Sequence, residues 1–298
     1  MNCKKVKFFG KEAIEIKTKT FKIIVLTEVG PRIAFFGKID SKNLLFWDNE
    51  NRSRGEWKLM GGHRIWVWRV DADESEDAYR EDNFPCEVKI NKNFITVIGA
   101  KDPVFNIKKG LSIKIENNNK VYIDNFIINT GDMLYSCGVW SLTCTDPNFR
   151  GVKYGIPLGD NSQWDCFRLV MFKKWGGGHT SHFNDNQIIF TEDMLIVEPK
   201  GIETKRMIEA PYGIICMDIP EYQTTFIKKI TYIPGAKYPY GCNLAFYVGP
   251  ENFMVEMEAM SPSNTLKPGE TIHLIETWIL TDKNIGLNSK KLIGMFKN

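Results

Sequence analysis

Apolar and polar positions alternate with a period of two along most of the chain. FKIIVLTEV, KNFITVIGA, LSIKIE, KVYIDNFIIN, NQIIFTE, DMLIVEPK, GIICMDI, TTFIKKITYI, NLAFYV, NFMVEMEAM and TIHLIETWIL are rich in Ile, Val, Phe, Tyr and Thr. Each alternates or runs apolar over a short span, which is the pattern of β-strands. Turn-forming clusters separate them, among them DSKN, NTGD, PGAKYPYG, VGPEN and SPSNTLKPGE. About a dozen short strands at close spacing predict an all-β sandwich. Helical signal is confined to one polar turn near Asp73–Asp82 and a short C-terminal helix in NSKKLIGMFKN, with Leu292, Ile293 and Phe296 on one face. No Ser/Gly-rich linker interrupts the strands, so a single β domain over residues 1–298 is expected.

Composition narrows the classes. Hydrophobic residues at 43% and charged residues at 25% suit a chain that buries a core and exclude a disordered one. Thirty-nine Lys and Arg against 36 Asp and Glu leave a net +3 without basic clusters, so neither nucleic acid nor a membrane surface is an expected partner. No apolar run is long enough for a membrane-spanning helix. The N-terminal MNCKKVKFFGKEAIEIK is broken by Gly10, Lys11 and Glu12 before an apolar segment forms, so no secretory signal is expected. Seven Cys, with no CxxC pair and mostly inside apolar runs, read as reduced thiols packed as small hydrophobes. A cytoplasmic location is expected. No GxGxxG follows a strand and no GxSxG occurs, so no nucleotide or flavin cofactor and no serine nucleophile is expected.

Three segments carry candidate chemistry. In Gly61-Gly62-His63-Arg64-Ile65-Trp66-Val67-Trp68, twin glycines permit a tight turn or a close backbone approach. The imidazole can move a proton near neutral pH, the guanidinium can fork onto vicinal oxygens, and an indole face suits the C–H side of a sugar. A turn feeding a buried strand, with His63 bonded internally, is the plainer alternative. In Trp175-Gly176-Gly177-Gly178-His179-Thr180-Ser181-His182, three glycines imply a loop. A rim loop with a site-facing His suits it better than a metal pair, because a helix is improbable there. In Phe253-Met254-Val255-Glu256-Met257-Glu258, the two carboxylates share one face of a strand. They read either as a base with its partner or as solvent-facing charges. The acidic run Asp71–Asp82 fails as a calcium loop, because its central Gly is Glu76 and its last position is Asp82.

Taken in order, Gly30-Pro31-Arg32-Ile33, Asn43-Leu44-Leu45-Phe46, GGHRIW, Tyr79 with Asp82-Asn83-Phe84-Pro85, Val139-Trp140-Ser141-Leu142-Thr143, Phe253 to Glu258, Ser261-Pro262, Leu266, Pro268-Gly269-Glu270 and Glu276-Thr277-Trp278 resemble the galactose mutarotase-like (aldose 1-epimerase) superfamily, in a bacterial branch of it. The resemblance spans about residues 20–282 and leaves outside it a short N-terminal strand region, 1–20, and a C-terminal tail, 283–298.

It implies a β-supersandwich of two large, mostly antiparallel sheets with a sugar-sized cleft on one concave face. In the epimerases a Glu takes the anomeric proton and a His protonates the ring oxygen. Carried onto this chain, Glu258 fits the base best, with Glu256 beside it as a substrate contact and fallback base. His63 is the candidate acid. The second His is expected near VWSLT, where this chain has Trp140 and Ser141, and His179 would substitute from its loop. Arg32, Arg64, Trp66, Asn83 and Trp140 are the implied substrate contacts, with Arg32 and Arg64 suited to an anionic substituent. His63 and Glu258 are thus expected to face one cavity from opposite walls. The implied activity is interconversion of sugar anomers without cofactor or metal. The alternative is a non-catalytic carbohydrate-binding protein, and the oligomeric state is left open.

Overall fold

The computed structural model describes residues 2–69, 80–159, 166–175, 178–180 and 182–296. Two large sheets, every ladder antiparallel, form the body. The first has eleven strands. In lateral order they are Asn2–Phe8, Lys11–Lys17, Phe21–Leu26, Ile33–Lys38, His63–Trp68, Tyr135–Thr145, Val255–Met260, Leu244–Val248, Thr204–Ile208 and Leu169–Met171, with Asn264–Leu266 also pairing with Tyr135–Thr145. The second has ten: Ile188–Phe190, Met194–Val197, Lys153–Pro157, Ile214–Ile219, Thr224–Lys229, Thr271–Leu280, Lys120–Asn129, Ile107–Ile115, Ile95–Lys101 and Glu87–Ile90. This is the all-β supersandwich implied by the resemblance.

The period-two pattern decides which side chains meet between the sheets. Ile65, Val67, Val139, Leu244, Phe246, Val248, Val255, Met257 and Ala259 face inward from the first sheet. They pack with Leu111, Ile113, Ile123, Ile127, Ile215, Met217, Trp278 and Leu280 of the second. Each such side chain contributes roughly 1.5–3 kcal/mol by leaving water. The central strands of the first sheet are buried on their outer face too, where Trp66, Trp68, Trp140, Leu142, Met207, Ala245 and Met260 form a second cluster. Burial on both faces explains why HRIWVW lacks clean alternation.

The first and last described segments both join the fold. The N-terminal region pairs across Phe9 and Gly10 as a hairpin that extends the first sheet. Its outermost strand carries Lys4, Lys5 and Lys7, charges that discourage further strands from adding to the edge. The C-terminal helix, Ser289–Gly294, is capped by Asn288, whose side chain accepts from the Lys291 amide, and buries Leu292 beside Met194, Cys216 and Ile279. The polar turn expected near Asp73–Asp82 is a 3₁₀ turn at Arg80–Asn83, and the rest of that acidic run lies outside the described residues. Among the described residues no helix is long and apolar enough to cross a membrane.

Candidate functional site

The outer face of the first sheet is built in lateral rows set by strand register. Arg64, Leu142, Glu258, Ala245 and Met207 form one row across five strands. Cys144, Glu256, Tyr247 and Lys205 form the next, and Trp66, Trp140 and Met260 form the one on the other side. The glutamates of Val255–Met260 therefore stand at the centre of the face, with a cation two strands away on either flank.

The twin glycines begin this arrangement. Gly61 and Gly62 both have positive φ, and a Cβ at either would collide with a carbonyl, that of Phe46 or that of Ile33. Only glycine lets the chain enter His63–Trp68 flush between its neighbours. Gly138 acts similarly. Its missing side chain is the space in which the Trp68 indole lies, and the indole nitrogen donates to the Ser261 carbonyl at 3.0 Å.

A cleft of about 540 Å³ opens over these rows. Trp57, Trp66, Trp68, Trp140 and Trp175 line it, and Arg64, Lys205, Tyr247 and Glu256 supply its polar wall. Arg52, Arg54, Arg69 and Lys174 also line it. That combination of aromatic wall and few convergent polar groups is typical of small-ligand sites.

Two diagonal ion pairs hold the polar wall. Arg64 donates through Nη2 to Glu256 Oε1 at 3.2 Å, and its guanidinium lies 4.8 Å from the Trp66 ring centroid and 5.1 Å from that of Trp57. The Cys144 thiol also contacts Glu256 Oε1, at 3.3 Å. Burial pushes that thiol well above its ordinary range, so it stays protonated and donates. Lys205 reaches both oxygens of Glu258, and Trp140 Nε1 donates to Oε2 at 2.8 Å. The Lys205 ammonium lies 5.0 Å from the ring centroid of Trp140 and 4.6 Å from that of Trp175. Burial raises the Glu258 carboxyl above the usual carboxylate range, Lys205 opposes that shift, and Glu256 adds to it.

The structure separates the residues that the sequence grouped. Glu256 and Glu258 do share the cleft face, and Arg64, Trp66, Trp140 and Glu256 line the cleft. Glu258 sits behind it, fully buried with both oxygens engaged.

His63 is a correction. On a strand whose even positions face the cleft, it points the other way, between the sheets. There it is fully buried, with Nδ1 2.9 Å from Thr143 Oγ1, Nε2 2.8 Å from Asn125 Oδ1 and the ring edge-on to Trp278. Desolvation, reinforced by Lys228 and opposed by Glu276, pushes its pKa down to about 4. His63 and Glu258 do not share a cavity, because they lie on opposite faces of one sheet.

His179 is also displaced from its expected place. It is exposed in the ribbon formed by Lys174–Trp175 and Gly178–His179, and it is not among the cleft-lining side chains. Arg32 is fully buried outside the cleft, donating to the carbonyls of Gly61 and Leu59, while Nε and Nη2 find no partner among the described residues. Burial, then the nearby Arg64, brings its pKa down to about 10. Asn83 clasps the Lys58 backbone instead of a ligand, accepting from its amide at 2.6 Å and donating to its carbonyl at 3.0 Å.

Lys205, Tyr247, Trp57 and Trp175 were not expected at the site. The signal for Lys205 is a lysine alternating with apolar Met207 in TKRMI, a segment too short and too charged to read as a strand. Trp57 and Trp175 arrive on two-residue ribbons that no periodicity marks.

No protein-family model matches this sequence, and no curated protein is significantly similar to it. Solved structures do resemble it. A galactose mutarotase-like protein from Clostridium acetobutylicum is 9% identical, with a TM-score of 0.62 and 96% of this chain and 99% of that one covered. A galactose mutarotase related enzyme from Lactobacillus acidophilus is 11% identical, with a TM-score of 0.59 and coverage of 93% and 99%. A galactose mutarotase-like protein from Lactobacillus casei is 11% identical, with a TM-score of 0.57 and coverage of 90% and 100%. The chain has the galactose mutarotase-like fold over nearly its whole length.

Proposed function

We propose that the cleft binds a small carbohydrate and that the protein interconverts the sugar's anomers, with Glu256 as the base. The observation that carries this reading is the position of Glu256. It is the carboxylate lining an aromatic cleft on a mutarotase-like fold, and among the described residues Arg64 and Cys144 both donate to its Oε1. In this reading Oε2 accepts from a ligand hydroxyl. The indoles of Trp66, Trp140 and Trp175 offer flat apolar faces to the C–H side of a pyranose.

The proton donor in this reading is Lys205. Lys205 and Glu256 both stand opposite Tyr247 in register, one strand away on either side, so their backbones are about 10 Å apart. A sugar ring bridging the two would lie over Tyr247, which stands between them. Glu256 takes the anomeric hydroxyl proton as the C1–O5 bond opens, and the Lys205 ammonium gives a proton to O5. Rotation about C1–C2 presents the other face of the aldehyde. Ring closure then returns both protons and leaves the protein unchanged. Glu258 orients Lys205 throughout. Arg69 and Lys174 at the cleft wall suit an anionic substituent, a role in which Arg32 is replaced because it lies outside the cleft.

Polarimetry on freshly dissolved α-anomers of neutral and phosphorylated hexoses tests the proposal. Accelerated mutarotation that Glu256→Gln abolishes is the expected result. Sugar-dependent tryptophan fluorescence with no acceleration for any sugar would reduce the protein to a carbohydrate binder.

A further inference from the structure

The geometry points to a second chemistry at Lys205: we infer that its amine forms a reversible imine with the open-chain aldehyde of an aldose held in the cleft. The inference rests on the carbohydrate reading of that cleft and goes beyond ring opening and closure. Lys205 is 1% exposed, yet it is among the side chains that line the cleft. Its neighbours are the two indoles of Trp140 and Trp175 and one carboxylate, Glu258. A buried lysine of this kind is a carbonyl nucleophile once a neighbour takes its proton.

Glu258 is placed to do so. It contacts the ammonium through both oxygens, and burial already biases it toward the protonated acid. Proton donation to O5 during ring opening would leave the same free amine beside the new aldehyde.

The step balances without an outside reagent. The ammonium passes one proton to Glu258. The nitrogen lone pair attacks C1 of the aldehyde, and the C=O π pair moves to oxygen. A proton shifts from nitrogen to that oxygen, giving a carbinolamine. Glu258 then protonates the hydroxyl, which leaves as water as the C=N bond forms. The product is a protonated imine that carries the charge the ammonium had, paired with the Glu258 carboxylate. Water reverses every step.

Borohydride reduction during incubation with D-glyceraldehyde, and separately with D-glucose, tests the inference. Glyceraldehyde forms no pyranose, so it probes the lysine whether or not the protein opens rings. The expected product is a secondary amine at Lys205, mapped by peptide mass spectrometry. Labelling should be at least about tenfold faster than at the exposed Lys92, because Glu258 stands against the Lys205 nitrogen to take its proton and the cleft holds the aldehyde beside it. Excess methyl galactoside, which has no free aldehyde, should protect Lys205. Lys205→Arg keeps the charge opposite Glu258 and should lose the label, while Glu256→Gln should keep the glyceraldehyde label. Labelling of Lys205 no faster than Lys92 with either aldehyde would overturn the inference even if mutarotation were intact. Glyceraldehyde labelling of Lys205 without accelerated mutarotation would uphold it and sink the ring-opening reading instead.

Discussion

Arg64 and Glu256, 192 residues apart in sequence, meet at 3.2 Å across two strand ladders, and the contact fixes one oxygen of the carboxylate that lines the cleft. Its counterpart, Lys205 on Glu258, crosses the same strand from the other flank. Both pairs are almost wholly buried, so their value lies in orientation more than in stability. They divide two adjacent carboxylates into one that lines the cleft and one buried behind it.

The two glutamates differ in what their loss does to turnover. Glu256→Gln leaves the buried Arg64 guanidinium without its counter-charge and should cost about 3–5 kcal/mol of unfolding free energy, while slowing mutarotation by a factor on the order of 10²–10⁴, the usual loss for a general base. Glu258→Gln leaves a buried ammonium without its counter-charge and should cost about 3–5 kcal/mol of unfolding free energy. Urea unfolding and polarimetry on both variants check the contrast. Pairing Glu258→Leu with Lys205→Met should recover most of the lost stability but no activity.

His63 predicts a pH dependence. Its folded pKa of about 4 lies below the ordinary value of 6.5, so between those values the unfolded chain binds more protons than the native one. Stability from this residue is complete above pH 6.5 and is lost as pH falls toward 4. Over that window the loss should reach about 3 kcal/mol. His63→Gln, which keeps an amide among Thr143 and Asn125, should flatten this part of the profile. Urea unfolding of both proteins at pH 7 and pH 4.5 measures the difference. An equal acid loss in the variant would show that His63 is not the group responsible.

Gly138→Ala predicts loss of binding without contact with ligand. The added methyl would occupy the space of the Trp68 indole and break its bond to the Ser261 carbonyl. Expected are a destabilisation of about 1–3 kcal/mol and weaker sugar quenching of tryptophan fluorescence. Unchanged sugar affinity would show that Trp68 is packing only.

The cleft wall predicts graded affinity. Trp140→Phe keeps an aromatic face but removes the donor to Glu258 Oε2. Titration of tryptophan fluorescence should show sugar affinity reduced less than tenfold, while mutarotation falls further, because the anchor of Lys205 is loosened. Trp66→Ala should instead weaken binding directly, by about 1–2 kcal/mol for a lost stacking face.

Alternation alone determined much of this protein. FKIIVLTEV, KVYIDNFIIN and TIHLIETWIL are half-buried or fully buried strands wherever they pack, since period two maps straight onto two faces of a sheet. The same rule placed Glu256 and Glu258 together. It could not say which face of His63–Trp68 looks into the cleft, because every residue of that strand is buried and neither face is marked by polarity. Tertiary structure decided that Arg64 lines the cleft and that His63 is buried between the sheets. It also decided that Glu258 is an anchor and that Lys205, invisible in TKRMI, completes the pair. A strand's own pattern encodes its alternation, whereas the partner each face meets depends on strand order and register between segments as much as two hundred residues apart.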